Sequence, residues 1–436
     1  MAIALAKPSK EITPARLAAF NILKQVETGA FSSILLAVDE PHLRPADKAL
    51  CHELVLGVLR WQLRLDKILD HFSRRRIETL DPPVRIALRL GLYQLRHLTR
   101  IPPSAAVNES VSLVRAARLS SATALVNAVL RRSTREPDFD PAAEVSDPLE
   151  RIAIQTSHPV WLIDRWAKAF GLDEAEAFAT SNNVMPPTAF RVVANRVEES
   201  VIVSRLNAVD AELESSNIVE GAWRVSGATP LLRELSAAGA IYLQDEASQL
   251  VAHELDVKPG ERVLDLCAAP GGKTTLMADR CGDSASIVAT DVSETRMATV
   301  VNTMRLHEFT SIRPVIVDAV ESLPFATGSF DKILVDAPCS GTGTLRRNPE
   351  IRWRLTPFDI EKLAVQQKLI LTRAVEMVKP GGRLIYSTCS VEREENEGVI
   401  EEVIARDKRF QLVKTRRTWP QREGCDGFFI SVFGVR

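Results

Sequence analysis

Along residues 1–135 the apolar positions recur at helical spacing, with no strand-like alternation. Asp81-Pro82-Pro83 reads as a helix start. Asp81 is placed to cap free N–H groups, and Pro82 falls in a first turn that needs no N–H. Val84, Leu88, Leu92 and Leu95 then share one face. Pro102-Pro103-Ser104 opens another helix striped by Val107, Val111 and Val114, and Leu125, Val129 and Leu130 mark a third. The pattern predicts an all-helical bundle. The next stretch, STREPDFDPAAEVSDP, holds three prolines and few apolar residues, which predicts a linker over 136–147.

Residues 148–240 read as a small α+β unit. A helix is expected over Pro159–Phe170, a strand over Thr188–Arg196, a helix in VIVSRLNAV and a second strand near Trp223–Val225. Over 241–436 strand and helix alternate. Strand-like runs are Arg262–Leu266, Ser286–Thr290, Arg313–Val317, Lys332–Val335 and Arg383–Tyr386, with Phe428–Phe433 a further candidate. Alternation of this kind predicts an α/β, Rossmann-like domain with a mostly parallel, doubly wound sheet. Ligands of such sheets bind beyond the carboxyl ends of the strands.

Composition narrows the setting. The 436 residues are 25% charged and 45% hydrophobic, as in ordinary globular proteins. Six cysteines are too sparse for a secreted disulfide scaffold. No apolar run approaches the roughly 18 residues of a membrane-spanning helix. The opening MAIALAKPSK places its charge after a very short apolar run, the wrong order for a signal peptide, so a reducing cytoplasm is the expected compartment. The net charge of -1 hides an asymmetry: residues 1–135 carry 21 Lys+Arg against 11 Asp+Glu, while the rest is acidic. A basic module on an acidic body suits a polyanionic partner, or is simply a solvated helix surface.

The residues that follow the strands carry the chemistry. Cys267-Ala268-Ala269-Pro270-Gly271-Gly272-Lys273 follows the first strand, and its small residues let a ligand approach the backbone. Gly272-Lys273-Thr274 imitates the end of a P-loop, but Cys267 stands where that motif needs its first glycine. Asp291 ends the second strand, placed for ribose hydroxyls, and Asp318 follows the third, placed for an adenine amino group. A single Asp of this kind is ordinarily a helix cap. Carboxylates after three successive strands suit a cationic, phosphate-free adenosine ligand such as S-adenosylmethionine. The fourth strand leads into Asp336-Ala337-Pro338-Cys339 and the fifth into Ser387-Thr388-Cys389-Ser390, which puts two cysteines at the ends of neighbouring strands. No metal is expected. There is no C-x-x-C pair, and His52-Glu53 and His253-Glu254 lack the second histidine of H-E-x-x-H, with Leu56 and Val257 in its place. Cys51, Cys281 and Cys425 read as inert.

Taken together, QDEAS, DLCAAPGGKT, DAPCSGTG, RRNPEIRW, KPGG, STCS with EEN following, and DGFF resemble the RNA cytosine-5 methyltransferase family. DKALCHELVLGVLRW, AVNESVSLVR and LVNAVLRR resemble a NusB-like domain. The resemblance implies that Cys267 to Lys273, with Asp291, Asp318 and Asp336, surround S-adenosylmethionine. It further implies that Cys389 is the nucleophile, that Asp336 lies in the cytosine pocket, and that Cys339 helps release product. By the residues alone the two cysteines are not told apart, because a Pro-Cys pair carries the nucleophile in the DNA cytosine-5 enzymes. Arg346, Arg347, Arg352 and Arg354 are expected to grip RNA phosphates, with a solvated surface as the plainer alternative. The implied partner is small-subunit ribosomal RNA, with transfer RNA as the alternative, and a monomer is the default.

Overall fold

The structure, a computed structural model, describes residues 12–39 and 43–436. The opening MAIALAKPSK, on which the expectation about a signal peptide rests, lies outside the described residues. Contacts divide the chain into two units, one of residues 1–184 with 345–354, the other of 185–344 with 355–436.

The first unit is helical. Pro14–Glu27, Pro45–Arg60, Pro82–His97, Pro103–Ala116 and Pro148–Thr156 each begin on the proline, whose missing N–H would have no partner there. Asp81 occupies the cap position as expected but makes no capping bond through its side chain; Asp147 does, accepting from the Glu150 N–H at 2.7 Å. Val84, Leu88 and Leu92 are buried in one apolar core with Leu54, Leu69, Val114 and Leu130. Arg89 is received in that core by Asp66, through two bonds of 2.7 and 2.8 Å, and by Glu27 at 3.0 Å. Residues 134–147 form turns, and the helices Val160–Phe170 and Leu172–Ser181 complete the unit. The stretch from 148 to 184 thus groups with the helices, where the sequence pattern attached it to the α+β segment.

The second unit holds two sheets. β1 (Thr188–Val192), β2 (Glu212–Ser215), β3 (Ala222–Ser226) and β4 (Ile241–Leu243) form a small antiparallel sheet in the order β2-β3-β1-β4. Its last strand runs past residue 240, where the small unit was expected to end. The large sheet contains β5 (Arg262–Asp265), β6 (Ser286–Asp291), β7 (Ile312–Ile316), β8 (Phe330–Asp336), β9 (Val378–Thr388), β10 (Phe410–Thr418) and β11 (Phe428–Val435). Its order is β10-β11-β9-β8-β5-β6-β7; β5 to β9 run parallel, and β11 pairs antiparallel with both β9 and β10. Val263, Leu334 and Ile385 enter one apolar core, while Leu264, Ile333, Val335 and Leu384 enter the core on the other face. Both faces are covered, so the expected doubly wound class holds.

Among the described residues no helix is long and apolar enough to cross a membrane, and no three His, Cys, Asp or Glu side chains gather to hold a metal ion.

Candidate active site at the ends of the parallel strands

Order in this sheet reverses between β5 and β8, the crevice where such folds receive ligands. A cavity of 240 Å³ opens there, lined by Cys267, Asp291, Asp318, Asp336, Cys339 and Cys389 among others. A second cavity, of 180 Å³, lies against Ala268, Pro270, Gly272, Lys273, Asp265 and Gln244. Cys267, Ala269 and Asp336 line both, so the loop after β5 separates them.

That loop is shaped by its backbone. The Ala268 N–H donates to Thr290 O at 2.8 Å, pinning the loop to β6, and the Gly271 N–H closes a turn onto Ala268 O at 2.7 Å. Gly271 sits at φ 102°, a conformation side chains resist. The helix Gly272–Arg280 then begins, with Lys273 in its first turn. Asp265, the last residue of β5, is buried; Thr274 donates to it at 2.7 Å, and burial pushes its carboxyl up to about 7. Burial also raises the Cys267 thiol, which favours its neutral form.

Asp291 and Asp318 each accept a backbone N–H at 3.0 Å, from Ser293 and Val320, and both also line the larger cavity. Neither caps a helix; the helix Glu294–Leu306 is capped by Ser293, so both carboxylates only close short turns beside the cavity. Arg296 pairs with Asp291 at 3.2 Å. Asp336 is held from two sides: Lys273 Nζ donates at 2.7 Å to one oxygen, and Ser387 Oγ at 2.7 Å to the other. Ser387 is the direct partner of Asp336 across the β8–β9 register, which is why the two meet. Burial opposes the Lys273 charge, but the Asp336 carboxylate outweighs it and the lysine pKa is raised. This lysine is thus engaged with a carboxylate of its own unit.

The two cysteines come together. Cys339 Sγ and Cys389 Sγ stand 3.3 Å apart. The Cys389 sulfur, burial and the charge of Glu395 all raise Cys339, so Cys339 rests as the thiol. Gly343 makes the approach possible: its N–H donates to Cys389 O at 2.9 Å and its carbonyl accepts the Gly427 N–H at 2.8 Å. A Cβ on Gly343 would fall 2.0 Å from Gly427 O, so a side chain there would split the two loops.

The four arginines after this loop do not join the cavity. Leu345–Arg354 belongs to the helical unit. Arg352 is wholly buried and donates to Ser157 O at 3.0 Å and Asn183 Oδ1 at 3.1 Å. Arg354 donates to Val26 O at 2.8 Å and also to Ala30 O. Trp353 Nε1 donates to Leu59 O at 2.6 Å, and Glu350 accepts from Ser32. Arg346 is buried and Arg347 half-buried. The expectation that Arg352 and Arg354 grip phosphates is corrected: orphan carbonyls of the helical unit have claimed both guanidinium groups.

Sequence reasoning missed Glu395, Ser340 and Ser390, which lie directly behind the cysteines. The EEN run was visible, but nothing in it told which acid turns inward.

Comparison with known proteins gives three matches to family models. Residues 252–434 match the model described as 16S rRNA methyltransferase RsmB/F, and residues 13–135 match the NusB family. Residues 158–231 match an RsmF/B-like, ferredoxin-like domain, a match that runs across the division at 184. A Bacillus subtilis (strain 168) protein, named probable ribosomal RNA small subunit methyltransferase B, is 33% identical over 437 residues, covering 94% of this chain and 96% of its own. A Pseudomonas putida protein, named ribosomal RNA small subunit methyltransferase B, is 36% identical over 438 residues, covering 95% and 97%. The solved structure of PH0851 is similar with a TM-score of 0.83 at 27% identity, covering 98% of this chain and 99% of its own.

Proposed function

The chain belongs to the family of the ribosomal RNA small subunit methyltransferases B, and we propose that it methylates carbon 5 of a cytosine in small-subunit ribosomal RNA through a cysteine adduct. The observation that carries this reading is the pair of sulfurs 3.3 Å apart on an acid-lined cavity at the strand ends. S-adenosylmethionine supplies a methyl group on a cationic sulfur. Asp291, Asp318 and Asp336 fit that ligand: Arg296 and Lys273 already pair with Asp291 and Asp336, which leaves the carboxylate of Asp318 in excess to favour a cation over a phosphate. The P-loop alternative fits poorly for the same reason, and its lysine is already paired with Asp336.

Carbon 5 of cytosine is too weak a nucleophile to take a methyl group unaided. In this reading the Cys389 thiolate adds to carbon 6, and the electron pair of the ring double bond moves to carbon 5. Covalent catalysis divides the difficult step in this way. Charge that develops at ring nitrogen 3 is met by the Asp336–Lys273 pair. In release, Cys339 in its thiolate form takes the carbon-5 proton, and the pair of that C–H bond becomes the C5=C6 double bond. The pair of the C6–S bond returns to Cys389. Cys339 rests as a thiol, so it must give its proton to solvent before it can act as the base. The base must leave its stack to reach this cavity, as in other base-modifying enzymes. The basic helical unit is the second RNA contact of this proposal.

Methyl transfer with labelled S-adenosylmethionine tests the reading. Label should appear on carbon 5 of cytosine in small-subunit ribosomal RNA. Label on another atom, or on a transfer RNA transcript alone, would contradict it.

A further inference from the structure

The residue after each cysteine is a serine, and both serines bind one buried carboxylate. Ser340 donates its backbone N–H to Glu395 Oε1 at 2.8 Å and its hydroxyl to Oε2. Ser390 donates its hydroxyl to the same Oε2 at 2.5 Å. Gln367 Nε2 adds a bond to Oε1 at 3.0 Å and another to Pro338 O at 2.9 Å, one residue before Cys339. Glu395 is wholly buried, and among the described residues no cation pairs with it.

An unpaired buried carboxylate is expensive to desolvate unless hydrogen bonds surround it. An apolar residue would fill the space at less cost. What an apolar residue lacks is the ability to tie a loop from β8 to a loop from β9 through shared oxygens. The neighbouring residue works the same way: Asn396 accepts from Thr388 Oγ1 at 2.5 Å and donates to Ser390 O at 2.9 Å. Tyr386 closes the frame by donating to Glu395 O at 2.5 Å. These bonds bracket Cys389 on both sides and grip Cys339 through Pro338 and Ser340.

We infer that Glu395 is a positioning residue that holds the Cys339 and Cys389 sulfurs in register, and that it serves the release of product more than the binding of cofactor. The inference rests on the two-cysteine reading above. Attack on carbon 6 needs one sulfur, whereas release needs both at a set distance. Loss of the clamp therefore falls on the step that uses both. Neither Glu395 nor Ser390 lines the two ligand cavities, so cofactor affinity is set elsewhere.

The test uses the full chain with Glu395→Gln, Ser340→Ala and Cys339→Ala in parallel. S-adenosylmethionine affinity is measured by calorimetry, turnover by methyl transfer, and covalent RNA by denaturing gel. Glu395→Gln and Ser340→Ala should keep the cofactor Kd within about twofold while multiple turnover falls about 100-fold, the loss expected for a misplacement near 1 Å. A covalent protein–RNA band should build up, as it does with Cys339→Ala. If Glu395→Gln does not fold, Ser340→Ala and Ser390→Ala carry the same expectation. The inference is overturned if Cys339→Ala traps RNA and the clamp variants do not, or if their turnover falls only in step with cofactor affinity. No adduct from Cys339→Ala would overturn the two-cysteine reading itself, and this inference with it.

Discussion

Two adjoining stretches follow β8, and they end in different bodies. Residues 336–344 stay at the strand ends, where Asp336 meets Lys273 and Cys339 meets Cys389. Leu345–Arg354 joins the helical unit, where Arg352 and Arg354 satisfy backbone carbonyls. The first stretch has its position set by β8, so the strand pattern alone is enough to assign its residues to the ligand crevice. The second has no strand to place it. An arginine can donate to a phosphate or to an orphan carbonyl, and the sequence does not tell which the surrounding backbone will offer.

The largest effect that would break this contrast is on chemistry. Cys389→Ala should lower methyl transfer by about 10³-fold or more. Thermal unfolding of that variant should shift little, since a methyl group replaces a half-buried thiol. Arg352→Ala should show the opposite signature. It leaves the Ser157 carbonyl and Asn183 side chain without their donor and should destabilise the protein by about 3 kcal/mol. If the variant instead unfolds like the parent and binds RNA weakly, the phosphate-gripping role returns.

Salt sharpens the comparison further. If the basic helical unit meets the RNA backbone, raising salt from about 50 to about 200 mM should weaken RNA binding by about 100-fold or more through counterion release. Cofactor binding at the strand ends should change by about twofold at most over that range. Equal sensitivity of the two would place the RNA contact elsewhere.

A pH effect concerns Asp265, whose carboxyl is raised to about 7 by burial. Between the unfolded value near 4 and 7, the folded state holds a proton that the unfolded state has lost. Stability therefore falls as pH rises through that window and levels off above it. Asp265→Asn removes this dependence, so its unfolding temperature should gain on the parent between about pH 4 and 7. Parallel curves for the two proteins would contradict the assignment.

Legibility in the sequence followed the same physics. β5, β6, β8, β9 and β11 are buried and apolar, so they stood out as runs. β2 and β10 are sheet edges with exposed, polar faces, and ELES and FQLVKTRRT carry no strand pattern. Asp291, Asp318, Asp336, Cys339 and Cys389 were found because strand ends in a parallel sheet point to one place. Glu395 was not, because Glu392, Glu394 and Glu395 lie within four residues and differ only in burial and partners. The inserted segment 345–354 left no mark, since its partners lie near residues 30, 60 and 157 in sequence.

The central claim is that Cys389 bonds to the base and Cys339 acts after it. Denaturing electrophoresis of each alanine variant with RNA and S-adenosylmethionine measures this directly. Cys339→Ala should hold RNA in a covalent band and Cys389→Ala should show none. A stable band from Cys389→Ala with none from Cys339→Ala would contradict the account and reverse the roles of the two sulfurs.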